Sequence, residues 1–263
     1  MATKGGYNKP FKICSILVCV ICGLIVSENF STAAILFTVA IIMMYIGNIP
    51  RKLMMKGLLC IGFVGGLFIG ALLLMPESVA NNIGGRVSTW KHRLENKLGI
   101  DRSKDGENAA EESEYDLAEN WQVGNSNIAI ANSNLIGLGP GNSVQRDFLS
   151  HAESDFIYSI IIEETGIAGA VFVIFLYFAL LIRVNKIAKK CDKFFPAFLV
   201  TGFGIVLVLQ ALINMGVAVG LLPVTGQPLP LISKGGTSII ITCFYFGVIL
   251  SISRSAARRE DAV

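Results

Sequence analysis

Six predominantly apolar stretches of this chain carry no charged side chain: 13–27, 31–50, 57–76, 165–182, 194–233 and 235–253. Nothing constrains the fold more tightly. About 20 apolar residues are needed to cross a bilayer as a helix, and hydrocarbon admits only helices or closed barrels. The runs are continuous rather than alternating, so the pattern is helical, and the fold class expected is an all-α polytopic membrane protein with six spans. The first run is short and must gain a turn from its flanks. It does not read as a signal peptide: no small-residue cleavage site follows, and Glu28-Asn29-Phe30 leads straight into the second run. The fifth run is twice too long. Asn214, Gly216, Gly220, Pro223, Gly226, Pro228 and Pro230 interrupt it, so one helix should end near Met215, followed by an irregular loop. Composition agrees: of 263 residues 53% are hydrophobic and 16% charged, against about 25% charged in soluble domains.

Lys and Arg set the orientation. Lys4, Lys9 and Lys12, then Arg51, Lys52 and Lys56, then Arg183, Lys186, Lys189, Lys190 and Lys193, then Arg254, Arg258 and Arg259 all fall on one face. By the positive-inside rule that face is cytoplasmic, and both termini lie there. Three parts are expected: three spans over 1–76, an extracytoplasmic loop over 77–157 carrying the chemistry, and three spans over 158–263 with a Pro/Gly-rich external loop and a cytoplasmic tail. The middle of the long loop, 101–119, is acidic and poor in large apolar residues, and is expected to be mobile. The net charge of +3 is too small to point to nucleic acid. Of the six cysteines, Cys14, Cys19, Cys22, Cys60 and Cys243 lie in apolar runs and Cys191 in a basic loop, so neither a disulfide framework nor a spaced metal motif is present. No internal repeat supports an inverted-repeat transporter.

The residues with chemistry gather on the external face. The stretch 148–166 carries His151, Glu153, Asp155, Glu163 and Glu164 where the long loop re-enters the membrane. A charge at a helix centre costs about 2.5–3.5 kcal/mol on insertion scales. A plain helix start, with Ser154 as N-cap and acids in the first turn, would account for Glu153 and Asp155. It does not account for Glu163 and Glu164, two turns further in. A second group is the run Leu135-Ile-Gly-Leu-Gly-Pro-Gly-Asn-Ser-Val-Gln145. Its glycines permit close backbone approach to an anion, and Asn142, Ser143 and Gln145 offer hydrogen bonds. A loop connector is the more frequent explanation for such a run. A third group is 223–238, with prolines that shape a loop and Lys234 beside the last span. Taken alone, Lys234 reads as a snorkelling anchor. Arg86, Lys91 and Arg93 form a fourth, suited to a diphosphate or to ordinary surface charge. His92 and His151 are the only histidines, and neither builds a convincing Ser-His-Asp triad.

At these residues the chain resembles the SEDS family (shape, elongation, division, sporulation), in particular its cell-division members. Glu28-Asn-Phe-Ser-Thr-Ala33, Trp121-Gln122, the 137–145 run, Ser154-Asp-Phe-Ile-Tyr158 through Glu163-Glu164, Asn214-Met-Gly216, Leu221-Leu-Pro-Val-Thr-Gly226 and Pro228-Leu-Pro-Leu-Ile-Ser-Lys-Gly-Gly-Thr-Ser238 follow the family's motifs in order. Departures are Ser150-His151 for a common Pro-Glu, Thr165 for Leu, Lys234 for a common Tyr, and Asn132-Ser133-Asn134 for a Gly-rich run. The resemblance implies a peptidoglycan glycosyltransferase of the bacterial cytoplasmic membrane that polymerises lipid II, with Asp155 as general base. It implies Arg86, Gln122, Asn142, Ser143, Gln145, Glu153, Lys234 and Ser238 as substrate-binding candidates. It implies a divalent cation, Mg2+ or Mn2+, over the leaving diphosphate, though no metal motif is in the sequence. It implies a class B penicillin-binding transpeptidase and other division-complex proteins as partners. Family members have ten spans, and this chain matches the last six, as a C-terminal portion would. A lipid II flippase and a non-catalytic division scaffold are the alternatives.

Overall fold

The computed structural model describes residues 8–26, 29–57, 59, 121–149, 152–222 and 224–260. Arg86, Lys91, His92, Arg93, His151, the 101–119 segment and nearly all of the third expected span lie outside them. Among the described residues all regular structure is helical. The elements are α1 (Asn8–Val26), α2 (Phe30–Ile46), a short helical stretch at 51–57, α3 (121–132), a 3-10 turn at Gln145–Asp147, α4 (Ile157–Lys189), α5 (Phe194–Ala218) and α6 (Gly236–Glu260).

The chain divides into two compact units, the second comprising Ser31–Val39 and Asp116–Val263. In the first unit, α1 opens with Pro10 in its first turn, where a missing N–H costs nothing. The end of α2 is a left-handed cap: Asn48 has φ 55°, Ile49 N–H reaches Met44 O at 3.3 Å and Asn48 N–H reaches Tyr45 O at 3.1 Å. Pro50 then prevents the helix from continuing.

The second unit holds the three helices long and apolar enough to cross a membrane, Ile157–Lys189, Phe194–Ala218 and Gly236–Ala257. They answer to the runs expected at 165–182, 194–233 and 235–253. The first two expected spans are apolar helices too, but of 19 and 17 residues. Boundaries moved for a physical reason. Arg183, Lys186 and Lys189 sit in the last turns of α4, because long cationic side chains reach water from a helix end without breaking it. The α5 helix runs on to Ala218, three residues past the expected end.

Val184 and Ile187 of α4, Val200 and Leu207 of α5, and Ile249 of α6 form one buried cluster at one end of the three helices. Gly204 lets α4 and α5 approach closely: a Cβ there would stand 2.6 Å from Val184. A second cluster joins Tyr158, Ile162, Ala170, Val173 and Tyr177 of α4 to Ala211, Met215 and Ala218 of α5 and to Leu229. Outward-facing Ile167, Val171, Phe172 and Phe175 are exposed, as a helix in hydrocarbon requires.

One helix is not straight. Gly166 has φ 72° and ψ −171° inside α4, so 157–165 and 167–189 are two helical pieces. The second piece alone spans about 34 Å at ~1.5 Å per residue, enough for a hydrocarbon core of about 30 Å.

Candidate functional site

The segment 152–156, just ahead of α4, is fastened by the chain that closes the fold. Three successive carbonyls are taken. Lys234 N–H donates to Glu153 O at 2.8 Å, the Ser233 hydroxyl to Ser154 O at 2.6 Å, and the Asn214 amide to Asp155 O at 2.9 Å. Asn214 also donates to Gln227 O at 2.7 Å, and Ser233 accepts from Leu229 N–H at 2.7 Å. The 224–235 loop is held in turn. The Tyr177 hydroxyl donates to Pro230 O, Gln210 to Pro228 O at 3.2 Å, and Gln227 to the Thr32 hydroxyl at 3.1 Å. Irregular backbone near membrane depth needs such internal partners. Phe156, 1% exposed, Leu149 and Ala152 pack beneath the segment with Ile160 and Val217.

This frame leaves Asp155 half-buried. Its Oδ1 accepts the Ser154 hydroxyl at 3.0 Å, and its Oδ2 faces Gly226, where a Cβ would stand 3.9 Å away. The helix-start reading is corrected here. The N-cap of α4 is Phe156, with no side-chain cap, and no acid occupies the first turn. Ser154 bonds to Asp155 instead, and Glu153 bonds outside the helix altogether.

Lys234 is not a snorkelling anchor. Its ammonium meets Glu153 Oε2 at 2.6 Å, and both side chains are exposed. The hydrogen bond and charge of Lys234 hold the Glu153 carboxyl below its ordinary range, and Glu153 raises the Lys234 ammonium. Beside the pair opens a cleft of about 610 Å³, lined by Arg146, Asp147, Leu149, Ala152, Glu153, Ser154 and Lys234. Arg146, not singled out from sequence, stands 3.9 Å from Asp147 in its wall. Its only sequence signal is a charge directly after the Gly-rich run.

The Gly-rich run is stitched into the break in α4. Leu138 and Gly139 N–H donate to the Glu163 and Glu164 carbonyls, both at 2.9 Å, and Ala168 N–H donates back to Leu135 O at 3.4 Å. Only glycine fits on either side: a Cβ on Gly137 would stand 2.4 Å from Glu164 O, and one on Gly166 2.4 Å from Leu135 O. The Glu163 side chain, 0% exposed, accepts the Ser143 hydroxyl, Val144 N–H at 3.2 Å and Gln145 N–H at 3.3 Å. The donors that suggested an anion cradle therefore already surround a carboxyl group that the chain itself supplies. Asn142 likewise donates internally, to Leu138 O at 3.1 Å. Gln122 is half-buried in α3, and Ser238 is half-buried in the first turn of α6. Neither lines the cleft.

Among the described residues no cluster of three His, Cys, Asp or Glu side chains is arranged to hold a metal ion. Of the two carboxylates in the cleft wall, Glu153 is engaged by Lys234 and Asp147 lies 3.9 Å from Arg146. The described residues do not by themselves build a cation site.

A family model described as "Cell cycle protein", covering FtsW, RodA and SpoVE, matches residues 3–258. The chain belongs to the FtsW/RodA/SpoVE family. Relatives agree. The chain is 31% identical to the probable peptidoglycan glycosyltransferase FtsW of Bacillus subtilis, over 94% of this chain and 57% of that protein. It is 33% identical to the protein of that name in Marinobacter nauticus, over 98% and 58%. It spans about half the length of the curated relatives it matches. A solved structure titled for the coordination of polymerization and crosslinking by a peptidoglycan synthase complex matches at TM-score 0.60 and 24% identity, over 97% of this chain and 64% of that one. The Thermus thermophilus rod shape determining protein RodA, in an Asp-to-Ala mutant form, matches at TM-score 0.56 and 21% identity, over 97% and 59%. At these identities the two structures speak to the fold. With three helices able to span a bilayer, this family member is an integral membrane protein.

Proposed function

We propose that this chain carries the catalytic site of a peptidoglycan glycosyltransferase that polymerises lipid II, with Asp155 as general base. The observation that carries the reading is the fastening of 153–155. Three carbonyls in a row are tied to Lys234, Ser233 and Asn214, which fixes one half-buried carboxylate beside a polar cleft. Fixing a base within reach of its proton is the costly part of general-base catalysis. In the step proposed, the acceptor sugar hydroxyl gives its proton to the Asp155 carboxylate. Its oxygen bonds to the donor's anomeric carbon. The bond from that carbon to the lipid diphosphate breaks, and the electron pair leaves on the diphosphate. Lys234 and Arg146, in the cleft wall, supply cations toward that charge. Glu153 orients Lys234, and Ser143 and Gln145 act through the loop they hold rather than by direct contact.

The relatives' shared name and the synthase-complex neighbour support this reading, and a crosslinking transpeptidase of the penicillin-binding class is the partner proposed. The distribution of Lys and Arg supports a bacterial cytoplasmic membrane location with both termini inside and Asp155 outside. The test is Asp155→Asn in the purified full-length protein, assayed on lipid II. Glycan polymerisation is expected to fall by roughly 10²–10⁴-fold with membrane insertion unchanged. Polymerisation at the unaltered rate would sink the assignment. Headgroup translocation across vesicles that is the same with and without Asp155→Asn, from an unaltered protein that does not polymerise, would point to a flippase instead.

A further inference from the structure

The ends of α4, α5 and α6 remote from Asp155 carry a continuous groove that catalysis does not use. Its apolar part, about 380 Å³, runs between α5 and α6. Phe195, Leu199, Phe244, Gly247, Val248 and Ser251 line it. Phe195 is 76% exposed and Phe244 63%. At Pro196 and Ile252 this groove passes into a second hollow of about 80 Å³ that includes Lys190, Asp192 and Lys193. At Lys190 and Ala256 the second passes into a third, also about 80 Å³, that includes Arg183 and Lys186. An apolar slot thus ends on four cations and one carboxylate.

We propose that this groove is a binding site for an anionic phospholipid, one acyl chain lying along α5 and α6 and the phosphate-bearing headgroup among Arg183, Lys186, Lys190 and Lys193. Three features agree. The slot is apolar at the depth of hydrocarbon and basic where the helices leave it, the polarity profile of a phospholipid. Basic pockets between membrane helices at that interface recognise anionic headgroups, and each Lys or Arg near the surface contributes about 1 kcal/mol. The flanks of any other span at the same face are themselves enriched in Lys and Arg, so a protein helix laid in the slot would bring like charge to its basic end. A lipid brings the opposite charge.

The experiment uses the purified full-length protein in detergent, equilibrated with phosphatidylglycerol, phosphatidylethanolamine or phosphatidylcholine, with bound lipids counted by native mass spectrometry. Phosphatidylglycerol should be retained preferentially, and an equal concentration of either zwitterionic lipid should not displace it. The triple variant Arg183→Gln, Lys186→Gln, Lys193→Gln should lose on the order of 100-fold in retention. Gly247→Trp tests the slot without altering charge. A Cβ there meets nothing within 4 Å, so the ring should fill the slot and expel the lipid from a protein that stays monodisperse and helical. Equal retention of all three lipids by the unaltered protein would overturn the proposal, and this comparison needs no variant to fold. So would retention unchanged in both variants. So would a second copy of the chain, bound without lipid and released by Gly247→Trp.

Discussion

Lys234 and Glu153 are separated by 81 residues, and that distance in sequence hid their pairing. Taken alone, Lys234 was one cation at a helix end, for which an interfacial anchor is the ordinary account. Asp155 stood out as a candidate because an acid beside an apolar run is costly, and because its neighbours follow a family pattern. Ser154 misled: a hydroxyl before a helix suggests an N-cap, but its oxygen is spent on Asp155. The Lys234–Glu153 pair has a defined pH window. Glu153 is lowered, so its contribution is present above its ordinary value of 4.5 and is lost as pH falls through the lowered value. Lys234 is raised, so its contribution is present below 10.5 and is lost as pH rises through the raised value. The pair therefore stays closed across the neutral range, and pH dependence of activity there should survive Glu153→Gln. The same variant should speed acylation of Lys234 by an amine-directed reagent at pH 8–9, because removing Glu153 increases the neutral fraction of the amine. Mass spectrometry of the labelled peptide would read the rate against other surface lysines. An unchanged rate would mean that the pair does not form in solution.

At the scale of the element, α4 shows where apolar pattern stops being informative. Thr165-Gly-Ile-Ala-Gly169 reads as an ordinary helical stretch, and nothing in it announces a break. The hint lay in Glu163 and Glu164, acids too deep for a helix start. Their reason is in the partner loop: the backbone of both residues and the side chain of Glu163 bind 138–145. Such long-range matching cannot be read from local periodicity. Gly166→Ala should be destabilising. Its φ and ψ belong to a region that is essentially glycine's alone, with strain of about 1–3 kcal/mol for other residues. Its Cβ would also press on the Leu135 and Asn134 carbonyls and on Gly137 N, none of which can move alone. Gly124→Ala, within α3 and with nothing within 4 Å of its Cβ, is the matched control and should hold or gain up to about 1 kcal/mol. Thermal unfolding of the purified variants checks both. Equal Tm values for the two would contradict the stitch.

For the whole molecule, the runs at 165–182, 194–233 and 235–253 foretold the three helices able to cross a membrane, because hydrocarbon leaves a chain so few choices, and the run at 57–76 lies almost wholly outside the described residues. The frame around Asp155 was not foretold, since it depends on hydroxyls and amides reaching backbone carbonyls 59 to 81 residues away in sequence. Three crossing helices put the α4–α5 turn and Lys234 on opposite sides. In a variant keeping Cys191 as its only cysteine, a membrane-impermeant maleimide should label intact spheroplasts only after permeabilisation. With Cys191 replaced and Lys234→Cys introduced, labelling should occur without it. Both labelled from one side would refute the arrangement. The buried Glu163 also has a consequence for assembly. Its donors begin twenty residues upstream, so the acid stays unsheltered until the 143–145 turn folds back on α4. The same docking supplies donors to the Glu163 and Glu164 carbonyls beside the break at Gly166. The loop is thus the clasp that sets the angle between the two pieces of α4.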